Sequence, residues 1–329
     1  MKKEAIKILH LEAKVGEKVF GFIDAKDAFG AISPLPTGII NGTEEGPTLL
    51  VTAGVHACEY AGIEGVIRFY RETETRGLKG NVIVITCMNL PALRLRTPFL
   101  VPFDNKNLNR VFPGRPDGSP AEVIAHTVMK EFLPKANYVV DCHCGDIGEK
   151  LFPMTICNQV NDEEVTKKGR GLAYATGLDY SYSSNATKGG DGNWITEANK
   201  AGVPAIVVEA GYDGLYGEEE IAIHVKVLRN IMKYLGMVSG KVERESDRTE
   251  TTYISSLFMV KTNTTGIFHP KTEIRTKIRK GQVLAEIKDL KGDVIEEVKS
   301  PENGILLTIM TKRVVNCGDS VMNAFKLDE

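Results

Sequence analysis

His56 and Glu59 stand three residues apart in VTAGVHACEYAG, residues 51–62, a Gly-bounded turn directly after an apolar run. If the chain passes from strand into helix between them, that spacing puts both side chains on one helical face, where they can converge on one ion. A third ligand from another strand would complete a His2Glu set, which on zinc leaves a position open for water or substrate. His143, set between Asp141 and Asp146 in NYVVDCHCGD, is the best-placed candidate. His126 and His224 fall within helical stretches, His10 in the N-terminal segment and His269 in a β-rich region. Glu209, in AIVVEAG, ends another apolar run. A buried strand offers a carboxylate no solvation, so this residue must be paired, metal-linked or protonated, and such groups concentrate at functional sites. Singly, each of these residues has an ordinary explanation: His-x-x-Glu recurs by chance, and a core histidine often bonds a carbonyl. Their common place at strand ends is what packing alone does not predict.

The elements that must position them are legible as apolar runs. PTLLVTAGV (47–55), NVIVITCMN (81–89), NYVVDCHC (137–144) and AIVVEAG (205–211) read as buried strands, with amphipathic segments between them, the pattern of an α/β layer fold. In an open parallel sheet, ligands and catalytic groups gather at the carboxyl ends of the strands. GSPAEVIAHTVMKEFLPKA predicts a helix capped by Ser119, with Pro120 at its first position and Glu122 closing a capping box. DGNWITEANKAG predicts a second, capped by Asp191 or Asn193 and stopped by Gly202; GEEEIAIHVKVLRNIMKYLG predicts a third, ending at Gly236. SGKVERESDRTE, around 240–250, reads as a linker, and short alternating strands with Lys-Gly and Asn-Gly turns follow it. The expected domains are 1–244, α/β and catalytic, and 245–329, β-rich and barrel-like, covering the active site.

Composition narrows the partners. With 41 basic and 43 acidic residues the formal charge is −2, too small a field to argue for nucleic acid or a membrane surface, which leaves a small molecule or peptide as the ligand. No apolar stretch is long enough to span a bilayer, and the N-terminus lacks the continuous apolar core of a signal peptide. The cysteines, 58, 87, 142, 144, 157 and 317, form no CxxC pair and fit reduced thiols, so the cytoplasm is the expected location. Cys142 and Cys144 flank His143 and should face packing if His143 faces a metal. A cysteine nucleophile would lack a dedicated base. Oligomeric state is not legible.

The stretch between Met88 and Glu122 carries six prolines and reads as a long surface loop, a length that usually implies function. Within its NLNRVFPG, Asn109 and Arg110 are adjacent groups suited to gripping a carboxylate, and Arg94 and Arg96 come shortly before.

HACE, NLNRVFPG, DCHCGD and VVEAG, in this order and spacing, resemble the succinylglutamate desuccinylase/aspartoacylase family of the zinc carboxypeptidase superfamily. The resemblance spans roughly residues 45–215 and implies a zinc-carboxypeptidase-like mixed sheet flanked by helices, with a smaller C-terminal all-β domain. It implies one Zn2+ per chain held by His56, Glu59 and His143, with Asn109 and Arg110 clamping the substrate carboxylate. It also implies that Glu209 is the general base and that Arg96, with Arg94 as rival, steadies the oxyanion. The implied activity is hydrolysis of the amide bond of small N-acyl amino acids. Ala57 and Cys58 depart from the pattern, which usually has Gly after the first His. A metallocarboxypeptidase acting on short peptides, and a non-catalytic binding or carrier protein, are the competing expectations. The second draws on GQVLAEIKDLKGDVIEEVKSPENGIL, similar to a lipoyl or biotinyl hairpin with Lys291 near its tip, but without an Ala-Met-Lys-Met type of tip sequence.

Overall fold

The computed structural model of the protein describes residues 3–28, 30–187 and 192–327. Its largest feature is a nine-stranded mixed sheet. Four strands form its parallel centre, in the order Ala205–Glu209, Tyr138–His143, Glu44–Ala53 and Lys79–Ile85. They are the four runs predicted from the sequence. On one side the sheet continues antiparallel through Ile32–Asn41 to Lys18–Lys26. On the other it continues through Met154–Ile156, Tyr180–Tyr182 and Thr252–Ile254.

The central strands are near-continuous Val, Ile and Leu because both faces are covered, as parallel sheets require. Their pleat sends alternate residues into two separate cores. Leu50, Ile83, Val139 and Val207 pack on one face with Trp194 and the Pro120–Thr127 helix. Leu49, Val51, Val82, Val84, Val140, Cys142, Ile206 and Val208 pack on the other. Helices Tyr60–Glu72, Glu163–Ala175 and Glu218–Tyr234 bury their apolar stripes in that second core. The pleat therefore assigns Thr52, Asp141, His143 and Glu209 to the first face, and it leaves Cys142 as packing on the second.

The capping box at Ser119 and Glu122 is present, and Asn193 caps the helix Trp194–Lys200. Asp191, the alternative cap, lies outside the described residues. The stretch expected to be loop from Met88 onward contains the helix Leu90–Leu95, capped by Asn89, and a 3-10 turn at Leu108–Arg110. Proline density obscured the helix, although Pro91 sits in its first turn, where the missing N–H would have had no partner in any case. No helix among the described residues is long and apolar enough to cross a membrane.

Beyond Thr252–Ile254 the chain forms two antiparallel sheets. One comprises Leu257–Lys261, Ser320–Lys326, Gly304–Met310 and Lys277–Ile278; the other comprises Val294–Lys299, Val283–Lys288, Gly266–Pro270 and Val314–Val315. Their core holds Val260, Phe268, Leu284, Ile287, Leu306 and Met322. Lys291 lies in the turn joining Val283–Lys288 to Val294–Lys299, its Nζ 3.2 Å from Asp293. The two parts of the chain interlock. Glu149–Leu151, just after the His143 strand, adds to Gly304–Met310 as an antiparallel strand with Leu151 opposite Thr308. Directly after it Phe152, fully buried, packs on Tyr180 and Phe325 in a cluster that draws on both parts. Phe152→Ala should lower unfolding free energy by about 3–5 kcal/mol, measured by urea denaturation, because the ring fills the seam between them.

Candidate metal centre

The turn after Glu44–Ala53 delivers the first two candidate ligands, His56 and Glu59. Gly54 has φ +67°, and a Cβ there would lie 2.9 Å from Cys87 Sγ, so the chain can leave the strand this way only with glycine. Glu59 then occupies the N-cap of Tyr60–Glu72, where the helix dipole favours its charge. Donor atoms of His56, Glu59 and His143 lie within 4.8 Å of one another, and all three residues are buried. Register places Glu209 beside His143 on adjacent parallel strands. The structure thus brings together all four residues selected from the sequence for strand-end chemistry.

The rings are fixed from behind. His143 Nε2 donates to Asp141 Oδ2 at 2.7 Å, and His56 Nε2 donates to Asn107 Oδ1 at 3.2 Å. Phe99 stacks on His56 with ring centres 3.9 Å apart. Both Nε2 atoms being donors, each Nδ1 is left to face the carboxylate between them. His56 Nδ1 is 2.8 Å from Glu59 Oε1, and His143 Nδ1 is 2.8 Å from Glu59 Oε2. The second contact lacks hydrogen-bond alignment, although the two atoms are close enough to bond. Lone pairs at that distance require a positive charge among them, either protons on the imidazoles or a cation. A metal ion meets the requirement with donors already converging, and the carboxylate–histidine pairing behind His143 is the usual support of a ligating imidazole.

Burial alone would lower the His143 pKa, but Glu59 and Asp141 on either side outweigh it and raise it well above the usual histidine value. Burial alone would raise Glu59, and the two imidazoles outweigh it, holding that carboxyl down at about 2. Glu209 goes the other way. Burial raises its pKa well above the ordinary carboxylate value, opposed by His143 and reinforced by Glu59 and Glu149. Its Oε2 is sealed from solvent and has no hydrogen-bond partner among the described residues. Glu149 is raised too, first by burial and then by Asp146 and Glu59, with Thr308 of the C-terminal sheet offsetting part of the rise.

A continuous polar chain runs through the core behind the site. Asp141 Oδ1 accepts from Thr52 Oγ1 at 2.6 Å, and Thr52 Oγ1 accepts from Trp194 Nε1 at 3.1 Å. Trp194 N donates to Asn109 Oδ1 at 2.8 Å, and Asn109 N donates to Asn107 Oδ1 at 2.8 Å. Because Asn107 is also the partner of His56, the chain closes from one histidine to the other. Asn109 is buried, whereas Arg110 is exposed, its Nη1 donating to the Asn109 carbonyl at 2.6 Å. Arg94 and Arg96 are exposed at the end of Leu90–Leu95, and neither bonds to the cluster. Arg96 has φ +55°, and the loop it opens delivers the Pro98 carbonyl to Cys58 N and Phe99 to His56.

Sequence reasoning passed over Asn107, Phe99, Thr52 and Trp194. Only Asn107 left a signal, two residues before Asn109 in NLNR. Five of the thiols, those of Cys58, Cys87, Cys142, Cys144 and Cys157, are buried, and Cys317 is exposed. Burial, then Asp146 and Glu59, pushes the Cys58 thiol up to about 12, and Cys58 Sγ donates to Asp146 Oδ1 at 3.3 Å. Cys87 and Cys157 are likewise pushed up to about 12 by burial, so none of these is a thiolate at neutral pH.

Residues 45–235, more than half of the chain, match the Succinylglutamate desuccinylase/Aspartoacylase catalytic domain, and the protein belongs to that family. Among individual relatives, it is 27% identical over 301 residues to the N-alpha-acetyl-L-2,4-diaminobutyric acid deacetylase of Halomonas elongata, covering 90% of this chain and 86% of that one. Its fold is that of the succinylglutamate desuccinylase/aspartoacylase of Rhodobacter sphaeroides, with TM-score 0.84, 22% identity and coverage of 95% and 96%. It is also that of the product-bound ectoine utilization protein EutE (DoeB) of Ruegeria pomeroyi, with TM-score 0.83, 24% identity and coverage of 94% and 95%.

Two outcomes follow. Asp141→Asn should weaken divalent-metal affinity by roughly 10- to 100-fold, measured by chelator competition, with affinity rising with pH in both proteins because the ion must displace the His143 proton. Metal-free Glu209→Gln should melt above metal-free wild type at pH 8, since there the unfolded wild type releases the Glu209 proton freely while burial in the folded protein disfavours the charged form. The gap should close as pH falls through the raised pKa toward the ordinary value, where Glu209 is neutral in both folded and unfolded chains. Melting curves of both proteins between pH 5 and 8 check this.

Proposed function

We propose that the protein is a zinc-dependent hydrolase of the amide bond of small N-acyl amino acids. The observation that carries this reading is Glu209, a carboxylate with one oxygen buried and unpartnered among the described residues, in register beside His143 of the His56, Glu59 and His143 set. Two imidazoles and a carboxylate are the donor set of catalytic zinc sites. Zinc held there supplies a Lewis acid that activates water and polarises the scissile carbonyl.

Glu209 is the general base: it takes the proton of the attacking water and delivers it to the leaving amine. Burial raises its pKa toward the working range, which suits a group that must both accept and release a proton. Asn109 and Arg110 hold the substrate carboxylate. Trp194 N occupies Asn109 Oδ1 and thereby leaves the amide N–H2 group for the ligand. Arg96 stabilises the developing oxyanion, its loop already tied to the site through Pro98 and Phe99. The C-terminal unit narrows the entrance: its Gly304–Met310 strand pairs with Glu149–Leu151, just after the His143 strand. A narrow entrance favours small substrates over peptides. The Halomonas elongata relative names one candidate, N-alpha-acetyl-2,4-diaminobutyrate.

Amine release from a panel of N-acetyl, N-succinyl and N-formyl amino acids, that compound included, and from short peptides tests the reading. Release from a small N-acyl amino acid that chelator abolishes and zinc restores is the expected result; release from peptides alone would move the assignment to a carboxypeptidase. Glu209→Ala should retain zinc and lose turnover by roughly 10²- to 10⁴-fold. Near-normal activity in that variant would overturn the role given to Glu209.

A further inference from the structure

His224 is completely buried on the Glu218–Tyr234 helix, on the face of the sheet opposite the site. Its Nε2 donates to the Ala210 carbonyl at 2.9 Å. Ala210 follows Glu209 directly, and its own N–H donates to the His143 carbonyl at 3.1 Å. The imidazole therefore holds the peptide that leaves Glu209, and this same residue is tied by its amide to the strand end carrying His143.

The third element at this junction is the helix that Glu59 caps. Gly65, on the Tyr60–Glu72 helix, faces His224 so closely that a Cβ there would lie 2.4 Å from His224 Cβ. The absence of a side chain at 65 is what admits the imidazole between the two helices and the strand end. Burial, outweighing the bond to Ala210, lowers the His224 pKa to about 4, so the ring is neutral and donates through Nε2 alone. Its Nδ1 has no partner among the described residues. A buried acceptor without a donor costs stability that an apolar ring of similar size would not. Packing is thus a poor account of this histidine, and the bond to Ala210 is what it contributes.

We infer that His224 is a positioning residue, which fixes the Ala210 peptide from beneath the sheet and so holds the Glu209 carboxylate against the ligand set of His56, Glu59 and His143. The inference rests on the role proposed above for Glu209. A base displaced by a fraction of an ångström loses rate while substrate and metal affinity survive.

His224→Phe keeps a ring of similar size without the donor, and His224→Gln keeps an N–H near the Nε2 position. Both are compared with wild type for bound zinc, melting temperature, KM, kcat and amide hydrogen exchange in peptides spanning 205–215. In His224→Phe, kcat should fall roughly 10-fold or more, with KM and bound zinc near wild type and faster exchange at Ala210 and Gly211. His224→Gln should recover most of the rate and the protection. Wild-type exchange and kcat in His224→Phe would overturn the inference, as would losses that Gln does not recover. Exchange reports on the brace without any substrate. A zinc-loaded wild type silent on the whole panel would therefore sink the deacylase reading and still leave His224 to be decided.

Discussion

Glu59 is held between two imidazole nitrogens, each 2.8 Å from one of its oxygens, and that contact is tolerable only with positive charge among the three groups. The surrounding structure serves to maintain this unfavourable convergence. Asp141 and Asn107 take the outer nitrogen of each ring, which leaves the inner nitrogens no choice of direction. Thr52, Trp194 and Asn109 join those two acceptors through the core. Without that chain, mutual repulsion of lone pairs would rotate the rings apart. With it, the apo protein must carry protons where a metal ion would sit, which is why the pKa of His143 is raised and that of Glu59 depressed.

The pleat of the sheet explains how so short a set of residues could be read from sequence. Period-two alternation places Asp141 and His143 on the same face, so they meet along one strand, while Cys142 between them packs in the opposite core. In parallel pairing Glu209 falls beside His143, and Thr52 beside Asp141. The four central strands were legible because continuous burial makes them continuously apolar. The flanking strands were not. Met154–Ile156, Tyr180–Tyr182 and Thr252–Ile254 are three residues each, and Ile32–Asn41 contains Pro34 and Pro36, which argue against a strand. It tolerates them because Lys79–Ile85 pairs with it only from Thr37 onward, so on that side both prolines lie beyond the ladder, while Lys18–Lys26 runs opposite them.

What sequence could not supply was the support behind the ligands. Trp194 lies far from His143 and Asn107 in the chain, and no spacing rule connects them; only folding brings the Trp194–Lys200 helix against the first face of the sheet. Asn109 was selected as a substrate group from its neighbour Arg110. Its side-chain oxygen is in fact committed to Trp194 N, so whatever it offers a ligand is its amide nitrogen. The family pattern identifies the position, and the hydrogen bond decides which end of the amide is available.

The two faces of the sheet divide the work. Thr52, Asp141, His143 and Glu209 occupy one face, with the loops that carry Phe99 and Asn107 over it. The opposite face holds the helices whose apolar stripes fix the strands, one of which, Tyr60–Glu72, starts from Glu59 at its N-cap. A strand end is nevertheless the least constrained part of a sheet, since the ladder stops there and the following carbonyls must find other partners. At Glu209 the stop falls beside His143 of the His56, Glu59 and His143 cluster. His224, reaching up from the packing face through the gap left by Gly65, supplies the donor that the ladder no longer provides. A polar group in a largely apolar layer thus joins the two faces at the strand end that carries Glu209.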